Sequence, residues 1–121
     1  MVPRPLRIAV FVAACGVIAW LSLSPSSALP KVTLSDKIEH LIAYFGLAVI
    51  GAYAFPPHLK RLAIGLFLGG VGVEVLQALM GLGRQGDPLD ALANTIGITL
   101  GLLATLAVRE LIKVKSPARG E

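Results

Sequence analysis

The residues that could do chemistry in this sequence recur at helical spacing inside separate apolar stretches. Asp36, His40 and Tyr44 follow one another at intervals of four residues, and Glu74 and Gln77 lie three residues apart. Residues three or four apart share one face of an α-helix, so each set occupies a single face. A carboxylate beside an imidazole is suited to general acid and base catalysis. We therefore predict Glu74 and His40 as the catalytic pair if the protein is an enzyme, a question that the sequence leaves open.

A third polar set lies in the last apolar stretch, where Asp90 and Asn94 are four residues apart. At a rise of about 1.5 Å per residue, Glu74 lies about 10 Å from the end of its helix at Gly81, a depth comparable to that of the other sets. Arg84 lies in the glycine-rich connection between the second and third sets. Its planar guanidinium suits a phosphate or carboxylate. The sequence predicts that the three faces meet in one polar pocket.

Seven residues besides the catalytic pair are predicted to bind a ligand. They are Arg84, Asp90, Asn94, Asp36, Gln77, Tyr44 and Asp87. Structural roles remain open for several of them: Asp36 and Asp87 suit helix N-caps, and Glu74 could hold helices together by bonding to His40. No metal and no cofactor are predicted, because no HExxH or comparable ligand spacing occurs. The single cysteine, Cys15, excludes an intrachain disulfide.

These side chains belong to a chain that is too apolar for an ordinary soluble domain. It has 121 residues, of which 55% are hydrophobic and 15% charged, and its mean hydropathy is +0.79. A membrane-spanning helix needs about 20 apolar residues, so this length accommodates about four spans. We predict an all-α bundle of four transmembrane helices in one domain over residues 1–121, with spans at about 6–23, 37–55, 61–81 and 88–108.

Start and stop signals set these boundaries. Pro56-Pro57 ends the second span, and Asp87-Pro88 begins the fourth. The first span also fits a cleavable signal peptide, since a basic start precedes its apolar run. Two pairs of glycines, Gly65-x-x-x-Gly69 and Gly97-x-x-x-Gly101, predict close packing of the third span against the fourth.

The distribution of basic residues predicts the orientation. Lys and Arg in short loops tend to remain cytoplasmic, and four spans place both termini on one side. That side collects eight of the eleven basic residues: Arg4, Arg7, Lys60, Arg61, Arg109, Lys113, Lys115 and Arg119. The sequence therefore predicts a multi-pass protein of the cell membrane with cytoplasmic N- and C-termini. The net charge of +4 then reflects topology, and no nucleic-acid partner is predicted.

Three sequence blocks carry a resemblance to a known family. They are Asp36-Lys37-x-x-His40-x-x-x-Tyr44, Glu74-x-x-Gln77 and Gly83-Arg84-x-x-Asp87-x-x-Asp90-x-x-x-Asn94-x-x-Gly97-x-x-x-Gly101. In this order and spacing they resemble the VanZ-like family of small bacterial membrane proteins, over residues 36–101. The resemblance implies a bundle of about four spans and a link to cell-envelope processes, which for the founding member of the family include low-level resistance to the glycopeptide teicoplanin. It implies no established reaction.

Together these features predict an outward-facing polar pocket that binds or processes an anionic, lipid-linked envelope precursor. The expected partners are membrane lipid, such a precursor and, as an option, further copies of the chain. Two rival functions stay open: a proton-coupled small transporter or transporter subunit, and a structural assembly factor without catalysis. A serine or cysteine nucleophile is missing from the predicted pocket, which argues against acyl-enzyme chemistry.

Overall fold

Four α-helices make up the described part of the chain. The computed structural model describes residues 2–24, 36–81 and 88–115, with only the backbone of residue 36. These residues form no strand; the helices are α1 (Arg4–Leu23), α2 (Asp36–Ala54), α3 (Leu59–Met80) and α4 (Pro88–Lys115). The predicted all-α class is confirmed.

Three of the helices, α1, α3 and α4, are long and apolar enough to cross a membrane, which suggests a membrane protein. α2 is not among them. It has a similar length, but charged and polar residues occupy its first two turns and lower its hydropathy. The structure thus supports the membrane assignment, while the fourth span stays a prediction.

The ends of α3 and α4 show how local chemistry sets helix length. α3 ends at Met80, and the next residue, Gly81, adopts a left-handed conformation with φ of 63°. Glycine adopts this conformation without steric cost, so it is the usual residue after a helix C-terminus. α4 continues to Lys115, beyond the predicted limit at Val108. The added segment is rich in Arg, Glu, Leu and Lys, which favour helix even where the apolar run has ended.

α2 lies at the centre of the bundle. It contacts α1, α3 and α4, and packs most extensively against α4, whereas α1 and α4 make no contact within the described ranges. Consecutive helices run in opposite directions, so the start of α2 lies at the same end as the end of α3 and the start of α4. We call this end the acidic end and the opposite one the basic end. Between them lies a core of small and aliphatic side chains: Leu47, Ala48, Ala52, Leu62, Leu66 and Ile98.

The glycine pairs pack differently from the sequence-based prediction. A Cβ atom at Gly97 would overlap the Leu41 carbonyl oxygen of α2, and one at Gly101 would lie 2.7 Å from the Phe45 carbonyl oxygen. A Cβ at Gly65 or Gly69 would meet nothing within 4 Å. The predicted contact of α3 with α4 through these glycines is therefore wrong. Gly97 and Gly101 instead allow α4 to approach the backbone of α2, as small residues do between membrane helices.

Two arginines from other helices stabilise the end of α2. Arg7 Nη1 donates a hydrogen bond of 2.6 Å to the Tyr53 carbonyl oxygen, and its guanidinium lies 5.1 Å from the centre of the Tyr53 ring. Arg109 donates to the carbonyl oxygens of Ala52 and Pro56, each at 3.3 Å. The last carbonyls of a helix lack intrahelical partners and carry partial negative charge, so cations there are favourable. The contacts tie α1 and α4 to α2 at the basic end.

Three threonine hydroxyls along α4 find their hydrogen-bond acceptors within the helix itself. The hydroxyls of Thr95, Thr99 and Thr105 donate to the carbonyl oxygens four residues earlier, at 2.8, 2.8 and 2.9 Å. Such bonds remove hydroxyl donors from contact with hydrocarbon, where no water is available to accept them. Large apolar side chains are exposed on all four helices, including Trp20, Leu79 and Leu103. Both features fit a lipid environment.

Candidate functional site

A cluster of ionisable side chains from three helices lies at the acidic end. His40 projects from the second turn of α2, with its Nε2 atom 3.6 Å from Glu74 Oε1 on α3 and 3.8 Å from Asp90 Oδ2 on α4. The side chains of Glu74 and His40 are 11% and 12% exposed, and that of Asp90 is 4% exposed. The imidazole therefore lies between two nearly buried carboxylates. We call these three residues the His–Glu–Asp cluster.

Lys37 adds a positive charge to this cluster. Its Nζ atom lies 2.8 Å from Asp90 Oδ1, one turn before His40 on α2, and its side chain is 40% exposed. Asp90 Oδ1 is buried and has no directed hydrogen bond from the described residues. Lys37 and Asp90 therefore form an ion pair by their distance. The carboxylate oxygen can still accept a hydrogen bond from a further ligand.

A second polar layer lies one helical turn deeper. A Cβ atom at Gly70 would lie 2.8 Å from Asn94 Nδ2 and 3.1 Å from the Tyr44 hydroxyl oxygen, so this glycine provides the space in which both side chains lie. Tyr44 is 7% exposed and Asn94 is 2% exposed. The Asn94 Oδ1 atom is buried and has no hydrogen-bond partner among the described residues. A buried acceptor without a partner carries a desolvation cost, and such groups are found where a ligand or water binds.

Gln77 connects this end of the bundle to α1. Its Nε2 atom donates a hydrogen bond of 2.6 Å to the Ser22 carbonyl oxygen, and the residue is 2% exposed. Ser22 lies in the last turn of α1, where carbonyl oxygens have no intrahelical partner. The contact fixes the end of α1 beside α3. The amide of Gln77 therefore holds helices together, in addition to any part it has in a ligand site.

The structure brings most of the predicted site residues to one end. His40, Glu74 and Asp90 form the cluster, and Tyr44 and Asn94 form the layer beneath it. Three of the predicted ligand residues lie outside the described part of the structure: Arg84, Asp87 and the side chain of Asp36.

Sequence reasoning missed two residues of this site, Lys37 and Gly70. Lys37 lies three residues before His40 and so shares its helix face, a spacing that could have placed it in the site. Gly70 is one of many glycines in α3, and its spacing gives no sign that it faces Tyr44 and Asn94. Only the packing of the three helices distinguishes it from Gly69, which faces open space.

The cluster offers three kinds of chemistry. The imidazole between two carboxylates could transfer protons, the buried oxygens could receive a polar head group, and each of the three residues offers one metal-ligand atom, all within 4.8 Å of one another. The described charges are two carboxylates against one lysine, with the histidine neutral or positive. An anionic ligand therefore needs additional positive charge at this end.

Fold and cluster together define a helical bundle with at least three membrane-length helices and a buried polar site at one end. No protein-family model, curated protein or solved structure matches the chain.

Proposed function

We propose that this chain is a VanZ-like protein of the bacterial cell envelope that binds the anionic head group of a lipid-linked envelope precursor at its acidic end. One observation carries the proposal. Among the described residues, the buried polar side chains are Glu74, Gln77, Asp90 and Asn94, and all lie in the half of the bundle next to the acidic end. Buried polar groups in a membrane bundle are costly, so their concentration in one half indicates a site.

The proposal includes α2 as a fourth span. α2 lies between the other helices and packs along α4, so a membrane that surrounds α4 also surrounds much of α2. The charged first turns of α2 would then lie at the membrane surface, where charges remain hydrated. The basic end carries Arg7 and Arg109, and basic residues favour the cytoplasmic side. The acidic end would accordingly face outward.

Positive side chains near the cluster supply the attraction for a phosphate. Lys37 is 40% exposed and so can reach a ligand as well as Asp90. Arg84 belongs to the connection between α3 and α4. In sequence it is close to the end of α3 and to the start of α4, and both helices carry residues of the site. In this proposal Arg84 contacts the phosphate, His40 and Glu74 act as acid and base or as polar receptors, and Asp90 and Asn94 hold the head group. The exposed apolar helix faces accept the lipid chain.

The same placement counts against a proton-coupled transporter. A transport carboxylate must exchange protons with both sides of the membrane. Toward the basic end the described core consists of Ala48, Ala52, Leu62 and Leu66, which offer no polar path. An assembly factor without catalysis fits the helix contacts, but it gives no reason for a buried Asn94 oxygen that has no hydrogen-bond partner within the described ranges. We therefore place both behind ligand binding.

Binding of a polyprenyl monophosphate tests the proposal. The purified full chain in phosphatidylcholine nanodiscs should bind this probe, and Arg84→Ala should weaken binding by about tenfold or more, the loss expected for one charge-assisted hydrogen bond. Arg61→Ala is the matched control, because Arg61 lies at the start of α3, at the basic end. Teicoplanin susceptibility of cells, normalised to membrane abundance, should follow the same order. Equal binding by Arg84→Ala and Arg61→Ala would remove Arg84 from the site.

Cysteine labelling tests the orientation. In a Cys15→Ser background, Gln85→Cys, in the connection between α3 and α4, should react with a membrane-impermeant maleimide in intact cells. His58→Cys, in the connection between α2 and α3 at the basic end, should react only after permeabilisation, because positive residues hold that end in the cytoplasm. The reverse pattern would show that the acidic end faces the cytoplasm.

A further inference from the structure

The spacing of the three ligand atoms in the His–Glu–Asp cluster is close to that of a metal centre. Zn²⁺ binds imidazole nitrogen and carboxylate oxygen at about 2.0–2.2 Å, and tetrahedral angles then place neighbouring ligand atoms about 3.3–3.6 Å apart. His40 Nε2 lies 3.6 Å from the Glu74 oxygen and 3.8 Å from the Asp90 oxygen. One ligand atom from each of the three residues lies within 4.8 Å of the other two. Small side-chain rotations would bring them to coordination distance.

Burial and helix packing hold this geometry in place. The three ligands come from three helices, so the backbone positions of α2, α3 and α4 fix their separation. The close approach of α4 to α2 at Gly97 lies two turns from Asp90 on the same helix. All three side chains are at least 88% buried, which excludes most competing water. Protein metal sites depend on such pre-organised ligands on rigid elements.

A partner outside the ligand set orients Asp90. Lys37 lies beside Oδ1 of this carboxylate, and Oδ2 faces His40. Groups that contact the ligands in this way fix ligand orientation in metal sites. Asp90 Oδ1 nevertheless receives no directed hydrogen bond from the described residues, although its side chain is 96% buried. With Lys37 Nζ 2.8 Å from Oδ1, the oxygen of Asp90 that remains for a metal ion is Oδ2, which faces His40.

Charge and donor type select the kind of cation. Two buried carboxylates and a neutral imidazole carry a charge of −2, of which Lys37 offsets one unit. A dication removes the remaining excess, and it would also let an anionic ligand approach. One nitrogen and two oxygen donors suit Zn²⁺ or a neighbouring first-row ion better than Mg²⁺ or Ca²⁺, which prefer oxygen alone. Three protein ligands also leave a coordination position open for water or a ligand.

We propose that His40, Glu74 and Asp90 bind one divalent transition-metal ion, with Lys37 orienting Asp90. The inference goes beyond the function proposed above, since it concerns binding of the metal alone. It replaces the expectation of a metal-free site that rested on sequence spacing. That expectation considered ligands near one another in sequence, whereas these ligands come from three helices, and His40 and Asp90 are 50 positions apart.

Zn²⁺ binding by the full chain tests this proposal. Protein in phosphatidylcholine nanodiscs, stripped with EDTA, should take up one Zn²⁺ per chain by calorimetry and elemental analysis. His40→Asn should weaken the affinity by about 100-fold or more, since loss of a direct ligand exceeds the about 10- to 100-fold effect of an outer-shell change. His58→Asn is the matched control, because this histidine precedes α3 at the basic end. It should bind as the unaltered protein does.

A spectroscopic measurement on further variants keeps the proposal testable if one variant misfolds. Bound Co²⁺ should give visible absorption bands of a low-symmetry site in the unaltered protein and in His58→Asn, and the bands should be lost in Glu74→Gln and Asp90→Asn. Helix content by circular dichroism confirms that each variant is folded. Zn²⁺ uptake that is absent from the unaltered protein, or equal in His40→Asn and His58→Asn, overturns the proposal. Because no polyprenyl phosphate is present, this result is independent of the ligand-binding test.

Discussion

Gly97→Ala should lower the free energy of unfolding by about 1–3 kcal/mol, the usual cost of overpacking a closely fitted interior. The added methyl group would overlap the carbonyl oxygen of Leu41 and lie 3.1 Å from the backbone nitrogen of Phe45. A flexible side chain could rotate away from a new methyl group, but backbone atoms of a helix cannot. α4 must therefore move away from α2 along their most extensive interface.

Gly69→Ala is the matched control for this substitution. It makes the same chemical change within a helix, but its Cβ would meet nothing within 4 Å. Alanine favours helix over glycine by up to about 1 kcal/mol, so this variant should be as stable as the unaltered protein or slightly more stable. Unfolding by denaturant in detergent micelles, followed by circular dichroism, measures both. Equal stabilities would contradict the close approach of α4 to α2.

Gly97→Ala should also change the geometry of the His–Glu–Asp cluster. Asp90 and Gly97 are two turns apart on α4, and His40 and Leu41 are neighbours on α2. A larger distance between the helices separates His40 from Asp90, which now lie 3.8 Å apart. The packing of α2 against α4 thus determines the geometry of the site. A change at a small residue that has no chemistry of its own can therefore disturb the cluster.

The sequence predicted the helices and the end at which the polar residues lie, for reasons of simple geometry. Long apolar runs between prolines and glycines predict helices. The rise per residue then gives the distance of each polar residue from the end of its helix. His40 and Glu74 were therefore predicted to meet. The structure places them 3.6 Å apart.

The sequence could not specify which helix each face contacts. A small-residue pair shows that a close approach is possible, but both Gly65-x-x-x-Gly69 and Gly97-x-x-x-Gly101 satisfy the pattern, and only the second makes such a contact. The partner is decided by packing between segments distant in the chain. The same reason explains why the contact of Lys37 with Asp90 was missed, since no local rule connects residues on different helices.

Lys37→Met should destabilise the metal-free protein more than Asp90→Asn does, although both substitutions break the same ion pair. Removal of one partner from a fully buried pair costs about 3–5 kcal/mol, because the other charge is left without compensation. Here the two partners differ in burial: the Lys37 side chain is 40% exposed and that of Asp90 is 4% exposed. A lysine that loses its carboxylate can extend its flexible side chain toward water. A buried aspartate that loses its lysine cannot reach water in this way.

We therefore expect a loss of about 2 kcal/mol for Lys37→Met and about 1 kcal/mol for Asp90→Asn, below the cost for a fully buried pair because Lys37 is partly hydrated. The double variant should be more stable than Lys37→Met alone, because asparagine leaves no charge to bury. Unfolding in EDTA-treated micelles gives these values as a double-mutant cycle. Lys113→Met is the matched control, since Lys113 pairs with Glu110 at 3.3 Å on the exposed surface and its loss should cost no more than about 0.5 kcal/mol.

The order of the two single variants is the decisive result. If Asp90→Asn costs more than Lys37→Met, the aspartate is stabilised chiefly by His40 or by groups beyond the described residues, and Lys37 is a surface charge. If the predicted order holds, adding Zn²⁺ should reduce the cost of Lys37→Met, because a dication beside Asp90 compensates the same charge that the lysine does. A cost that stays the same with and without Zn²⁺ would separate the role of the lysine from the metal site.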